Sequence, residues 1–346
     1  MTEMPALNER AYLSRRRVGF TLAGLALTLT LMAILALAVG SESIAVTAIL
    51  SAFKQWLTRG AQPNEQEIIL FSLRLPRIAL AVSVGAALAL AGAAFQSLLR
   101  NPLADPHILG ISSGAAFGAI IGILCAQRMP FAPSLTRTAF SFIGASVTSF
   151  LVYRLGRRED DPARLVLAGV ILSTFLSSLN VLMLALVDDI RLRSITLWLL
   201  GDLSNATPES LLFIVTALAL GFGVLLTQAR ALNLMMIGER EAFTLGVETA
   251  RTRWLVFGAA SLLTGTAVAA GGAIGYVGLL TPHLIRLIAG ADNRLVLPAS
   301  ALGGALLALV ADTLARTVLA PQELPTGAIT ALLGAPLFIY LLLKRR

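Results

Sequence analysis

Few side chains in this 346-residue chain could do chemistry, and their placement narrows the choice further. Asp312 stands alone in a long apolar run, and Arg316 follows one helical turn later, where the two can pair at i, i+4. An ionisable group in such a run is costly and needs either a partner or a function. The couple reads as a local structural ion pair in preference to a proton or ion site. His107 follows Pro106 and His283 follows Pro282, both at helix ends, so both read as capping or packing histidines. Cys125 reads as a small buried hydrophobe. Two histidines and one cysteine so dispersed cannot build a Cys/His metal cluster, and no metal ligand is assigned. No His-Glu-x-x-His helix, paired catalytic carboxylates or Ser/His/Asp set can be picked out, so no catalytic residue is assigned and the chain is not read as an enzyme. A nucleotide loop needs Gly-x-x-x-x-Gly-Lys-Ser/Thr, and neither Lys54 nor Lys344, the two lysines, has that context. Any ATP-driven step belongs to another polypeptide.

The elements that must position these residues are set by composition. Apolar residues make up 57% of the chain and charged residues 13%. A soluble globular chain carries roughly 25% charge to cover its core, so the expected solvent here is a lipid bilayer. A hydrocarbon core of about 30 Å takes about 20 apolar residues per helix. Candidate spans run over 18–39, 78–98, 109–126, 138–153, 165–187, 211–228, 254–276, 277–289, 297–319 and 328–343. The eighth is short, follows a glycine-rich stretch and reads as broken or re-entrant. With the N-terminus inside, about two-thirds of the 27 Lys and Arg residues fall in inside segments, and an even helix count leaves both termini cytoplasmic. The basic excess is therefore a topology signal, not a nucleic-acid footprint. The start, Ser14-Arg15-Arg16-Arg17, also looks like an export signal with a small-residue site at Ala36-Leu37-Ala38. The apolar run after it exceeds the roughly 7–15 residues of a signal core, so it is read as the first span. A weak internal repeat aligns 92–102 with 272–282.

One inside segment, 229–253, is too charged to span yet carries Ala242, Phe243, Leu245 and Val247 among Glu239, Arg240, Glu241 and Glu248. Gly238 and Gly246 bracket one short helix there. Docking against a soluble partner would bury that apolar set, and a helix lying on the membrane face is the alternative. On the outside, Arg74, Arg77 and Arg316 run against the positive-inside tendency. Exposed guanidiniums there can meet carboxylates of an external protein or snorkel to lipid phosphate.

At these segments the chain resembles the FecCD-type permease subunits of ABC importers for iron-siderophore complexes, haem and vitamin B12. The motifs are Leu73-Arg74-Leu75-Pro76-Arg77, the stretch from Gly92 through Asn101-Pro102-Leu103-Ala104-Asp105-Pro106 to Ala115, and Gly238-Glu239-Arg240-Glu241-Ala242 to Gly246. Gly275-Tyr276-Val277-Gly278-Leu279-Leu280-Thr281-Pro282-His283-Leu284-Ile285-Arg286, Ala311-Asp312 to Arg316, Glu323-Leu324-Pro325-Thr326-Gly327 and Gly334-Ala335-Pro336 complete the series.

The resemblance implies an all-α type II importer permease of ten transmembrane helices, one domain over 1–346, in the bacterial inner membrane. It implies a second permease copy as homodimer or close heterodimer, two cytoplasmic ATPase subunits that bind the ATP and Mg, and a periplasmic substrate-binding protein. By the same resemblance Gly238, Glu239, Arg240, Ala242, Leu245 and Gly246 form the ATPase-coupling element. Arg74, Arg77 and Arg316 receive acidic residues of the binding protein. Asn101, Leu103, Asp161, Pro162 and Ala163 lie near the cytoplasmic gate, with Pro162 and Ala163 standing where some relatives carry hydroxyl residues. The path is assigned to the fifth span, at Ser173, Ser177 and Asn180, and to the loop after it. Haem or a ferric siderophore is preferred as cargo, with cobalamin as the alternative and an ion-coupled secondary carrier as the reading from another class.

Overall fold

The computed structural model describes residues 15–40, 44–58, 64–129, 131–156 and 162–344, and among them the regular structure is all helical, with no strand. The helices are α1 (Arg15–Ala38), α2 (Val46–Thr58), α3 (Glu65–Ile68), α4 (Leu75–Leu98), α5 (Ile111–Cys125), α6 (Pro133–Gly156), α7 (Pro162–Ala185) and α8 (Asp189–Leu199). The second half holds α9 (Pro208–Thr227), α10 (Ala229–Ile237), α11 (Glu239–Thr244), α12 (Thr249–Gly271), α13 (Val277–Ala289), α14 (Asn293–Thr317) and α15 (Thr326–Lys344). Seven described helices are long and apolar enough to cross a membrane, and the shorter apolar helices 111–125, 277–289 and 326–341 stand at the remaining expected spans.

α4 is the axis of the bundle. Almost every residue from Arg77 to Leu98 is buried, and α14, α12, α13 and α9 pack around it. Apolar lipid gives helices no hydrophobic reason to associate, so close packing of small residues must do it. Gly85 faces the Gly304 carbonyl of α14, and Gly92 faces the Gly278 carbonyl of α13, so closely that a Cβ at either would collide with backbone. α4 and α14 run antiparallel, because Ser97 meets Asn293 at one end and Arg77 meets Asp312 at the other. A 24-residue α4 is about 36 Å long at 1.5 Å per residue, so these ends are a membrane thickness apart.

The boundaries of two expected spans need correction. The second span begins well before residue 78: helix runs without a break over Glu65–Leu98, through a π-helical segment at Ile69–Arg74. Pro76 cannot donate a backbone hydrogen bond, and the wider turn, in which Leu75 N–H donates to the Leu70 carbonyl, carries the chain into α4. The seventh span stops at Gly271 instead of 276. Gly272 takes a left-handed φ of 74° where a side chain would strike the Trp198 carbonyl, and a non-helical connector leads to α13. The aligned segment 92–98 is uninterrupted helix, so the weak repeat is not matched in backbone conformation. The loop expected after the fifth span is largely helix α8, whose Ile195 and Trp198 are buried.

Candidate functional site

Two clusters sit at opposite ends of α4, with a polar patch on α7 apart from both. The first is the segment 229–253. α10 buries Ala229, Leu232 and Met235, and a break at Gly238 turns the chain into α11. Within α11, Ala242 is fully buried while Phe243 is 70% exposed, and Leu245 just beyond it is 63% exposed. Ile237, before the break, is 71% exposed. The apolar set expected on this helix therefore divides, with Ala242 anchoring it and Phe243 and Leu245 projecting away. Glu239 pairs with Arg253 of α12, both largely buried, so it clamps the helix to the bundle and is not a free surface charge. Gly246 ends the element with φ of 85°, a left-handed value that favours glycine, and Val247 N–H returns to the Ala242 carbonyl at 3.0 Å.

Beside this element lies the turn after α4. Asn101 and Leu103 are exposed there, and the Asn101 side-chain oxygen accepts the Leu103 N–H at 2.9 Å, an Asx-type turn. Asp161 lies outside the described residues. Pro162 opens α7 and Ala163 is exposed in its first turn. A small cavity lined by Leu99, Arg100, Leu165, Glu239 and Arg253 puts the start of α7 and the turn against the α11 clamp.

On α7, Ser173 and Ser177 both point at one residue of α5. Ser113 Oγ is 2.9 Å from Ser173 Oγ and 3.3 Å from Ser177 Oγ, and Asn180 Nδ2 donates to the Ser113 carbonyl at 3.3 Å. The three residues expected on the path thus converge on Ser113, which no spacing rule singled out because it lies on another helix. Around this patch α7 exposes Ile171, Phe175, Val181 and Leu182.

At the other end of α4 the expectation of exposed arginines fails. Arg74, Arg77 and Arg316 are 5%, 8% and 7% exposed. Arg77 Nε donates to Asp312 at 2.9 Å and its Nη1 to Glu323 at 2.8 Å, while Arg316 Nε lies 3.2 Å from Asp312. Arg74 Nη1 donates to the Leu37 carbonyl at 2.6 Å, and Arg316 Nη2 to that of Ala36 at 3.3 Å. The i, i+4 pair read from sequence is present, but as half of a network that ties α1, α4, α14 and the 318–325 loop together. The physical reason is that desolvated guanidiniums need acceptors within the fold, and Asp312 with Glu323 supplies them. Of the five side chains only Glu323 is half-exposed, with 50% of its side chain open. An open cavity of about 560 Å³ lies beside them, lined in part by Ser72, Leu73, Arg74, Arg77, Arg316 and Glu323.

The other singled-out residues serve structure. His107 Nε2 is 3.1 Å from the Ile274 carbonyl in the non-helical connector, and His283 packs edge-on against Phe338. Cys125 is half-buried at the end of α5, less enclosed than expected. Among the described residues no group of three or more His, Cys, Asp or Glu could hold a metal ion.

Known proteins share this architecture. The profile of the FecCD transport family matches residues 27–344. The hemin transport system permease protein HmuU of Yersinia pestis is 43% identical over 283 residues, which is 80% of this chain and 84% of that protein. The vitamin B12 import system permease protein BtuC of Klebsiella pneumoniae is 36% identical over 343 residues, 99% of each chain. A solved structure assigned to the metal-chelate type of ABC transporter, in an inward-facing conformation, has a TM-score of 0.82 at 36% identity, covering 94% of this chain and 99% of that one. The chain therefore belongs to the FecCD transport family of multi-pass membrane permeases.

Proposed function

We propose that this chain is the translocation subunit of an ATP-driven importer that carries an iron chelate, haem or a ferric siderophore, across the bacterial inner membrane into the cytoplasm. The observation that carries the reading is a short helix, clamped by Glu239–Arg253 and Ala242, that turns Phe243 and Leu245 into solvent. An exposed pair of this kind gains by burial in a partner, and the chain has no nucleotide loop of its own. Two cytoplasmic ATPase subunits, holding ATP and Mg, would seat on it, and both termini would lie on their side. Asn101, Leu103, Asp161, Pro162 and Ala163 would close the inner mouth. A second copy would cover the exposed apolar face of α7 and enclose a path past Ser173, Ser177 and Asn180. A weakly polar path with no tight ligand suits passage, since strong ligation would slow release.

Docking of a periplasmic binding protein at Arg74, Arg77 and Arg316 would have to compete with the internal partners of these arginines. Arg77 is already satisfied, so an incoming carboxylate would have to replace half-exposed Glu323. The haem preference leans on the hemin permease of Yersinia pestis, and the vitamin B12 permease relatives favour cobalamin as the second reading. The test is reconstitution of the chain with its ATPase subunits and binding protein in liposomes, supplying haem or cobalamin outside. ATP-dependent accumulation of haem is expected; accumulation by the isolated chain on an ion gradient alone overturns the reading.

A further inference from the structure

Asn233 of α10 takes no part in the exposed surface of 237–245, yet it makes two directed contacts with another helix. Its Nδ2 donates to Asp292 Oδ1 at 2.7 Å, and its Oδ1 accepts the Asn293 backbone N–H at 2.8 Å. A backbone N–H only donates and a carboxylate only accepts, so these partners fix the orientation of the amide. Asp292 is the N-cap of α14, its Oδ1 also taking the Arg294 N–H at 2.9 Å. α10 therefore grips the first turn of α14.

The grip continues inward. Asn293 is fully buried, with its Oδ1 2.8 Å from Ser97 Oγ of α4 and its Nδ2 3.5 Å from the Met236 sulfur of α10. Ser97 Oγ accepts from Arg286 Nη2 of α13 at 2.9 Å, and Arg286 also reaches Gln96 and the Ala93 carbonyl. Gln96 Nε2 returns to the Leu279 carbonyl of α13 at 3.1 Å. One run of hydrogen bonds thus joins α10 to α14, α4 and α13.

We propose that Asn233 is the positioning residue through which displacement of α10–α11 is carried into α14. The proposal rests on the reading of α11 as the ATPase-facing element. Apolar contact is non-directional and permits slip, whereas two hydrogen bonds to a helix terminus fix both direction and register. α14, continuous from Asn293 to Thr317, then delivers the motion to its far end, where Asp312 and Arg316 sit.

The experiment uses the full chain with its ATPase subunits in nanodiscs, Cys125 replaced by Ala, and spin labels on introduced cysteines. The pair Leu155→Cys with Arg230→Cys reports α10 against α6, and Leu155→Cys with Arg294→Cys reports α14. Distances are measured without nucleotide and with ATP plus vanadate. In the parent both pairs shift. In N233A the α10 pair shifts as before, while the α14 pair loses at least half its shift. N233D, which sets a carboxylate against Asp292, does the same, and N233D with D292N restores a donor–acceptor match and recovers the α14 shift. Equal α14 shifts in parent and N233A overturn the proposal, as does a loss that the exchanged pair does not recover. A parent in which α10 moves and α14 does not overturns the link alone. A parent in which α10 itself does not move overturns the ATPase-facing assignment and the link together.

Discussion

At the N-terminal end of α4 the charged side chains turn inward, whereas beyond its C-terminal end a short helix turns apolar side chains outward. Arg77, Arg316 and Asp312 are buried and ion-paired with one another. Phe243 and Leu245 stand 70% and 63% exposed on an element anchored by one buried alanine and one ion pair. Both regions carry motif residues, but burial gives them opposite energetics. A charge network resists loss of its buried members, because the charges left behind are desolvated and short of a partner. An exposed apolar pair adds little to the free chain and gains value only when something covers it. The first region thus holds four segments together, and the second, on the function proposed above, is held by a partner.

The sharpest way to break that contrast is Asp312→Ala, which removes the carboxylate beside Arg316 and leaves Arg77 with Glu323 alone. It should cost about 3–5 kcal/mol of stability, read as a large fall in melting temperature in detergent. An unchanged melting temperature would mean the network does not stabilise the fold. Next in size, Phe243→Ala with Leu245→Ala should leave the melting temperature alone. ATPase binding should weaken by about 3 kcal/mol, on the order of a hundredfold, in a titration against the purified subunits. A loss of stability without a loss of binding would reverse the roles of the two ends.

Glu239→Arg sets two guanidiniums together and should destabilise the chain by about 2 kcal/mol. Adding Arg253→Glu should recover most of that in the same melting assay; no recovery would mean the clamp is not a pairwise contact. The smallest effect is expected from Glu323→Gln, a half-exposed partner whose removal should change stability by less than about 1 kcal/mol. It should nonetheless strengthen binding-protein docking, measured across ionic strengths, because the competing carboxylate is gone. Docking that is unaltered at every salt concentration would count against carboxylate exchange at Arg77.

Much of the fold was legible because the bilayer imposes length and apolarity on every span. The Asp312–Arg316 pair followed from helical spacing, and the short helix between Gly238 and Gly246 from its glycines. What escaped were partners far apart in the chain. Glu323 is 246 positions from Arg77, and Asn293 is 196 from Ser97. Periodicity reports which face of a helix is apolar, not which helix will meet it. The π-helical turn at Ile69–Arg74 escaped for a related reason: a proline in an apolar run reads as a helix start unless the preceding turn can widen.

Composition and span length alone therefore determined the solvent and the all-helical class, since these depend on the residues themselves. Exposure was decided only by packing. Whether an arginine meets an external carboxylate or an internal one depends on the acids that antiparallel neighbours bring beside it. Asp312 and Glu323 reach Arg77 only once α14 lies against α4 and the loop before α15 folds back.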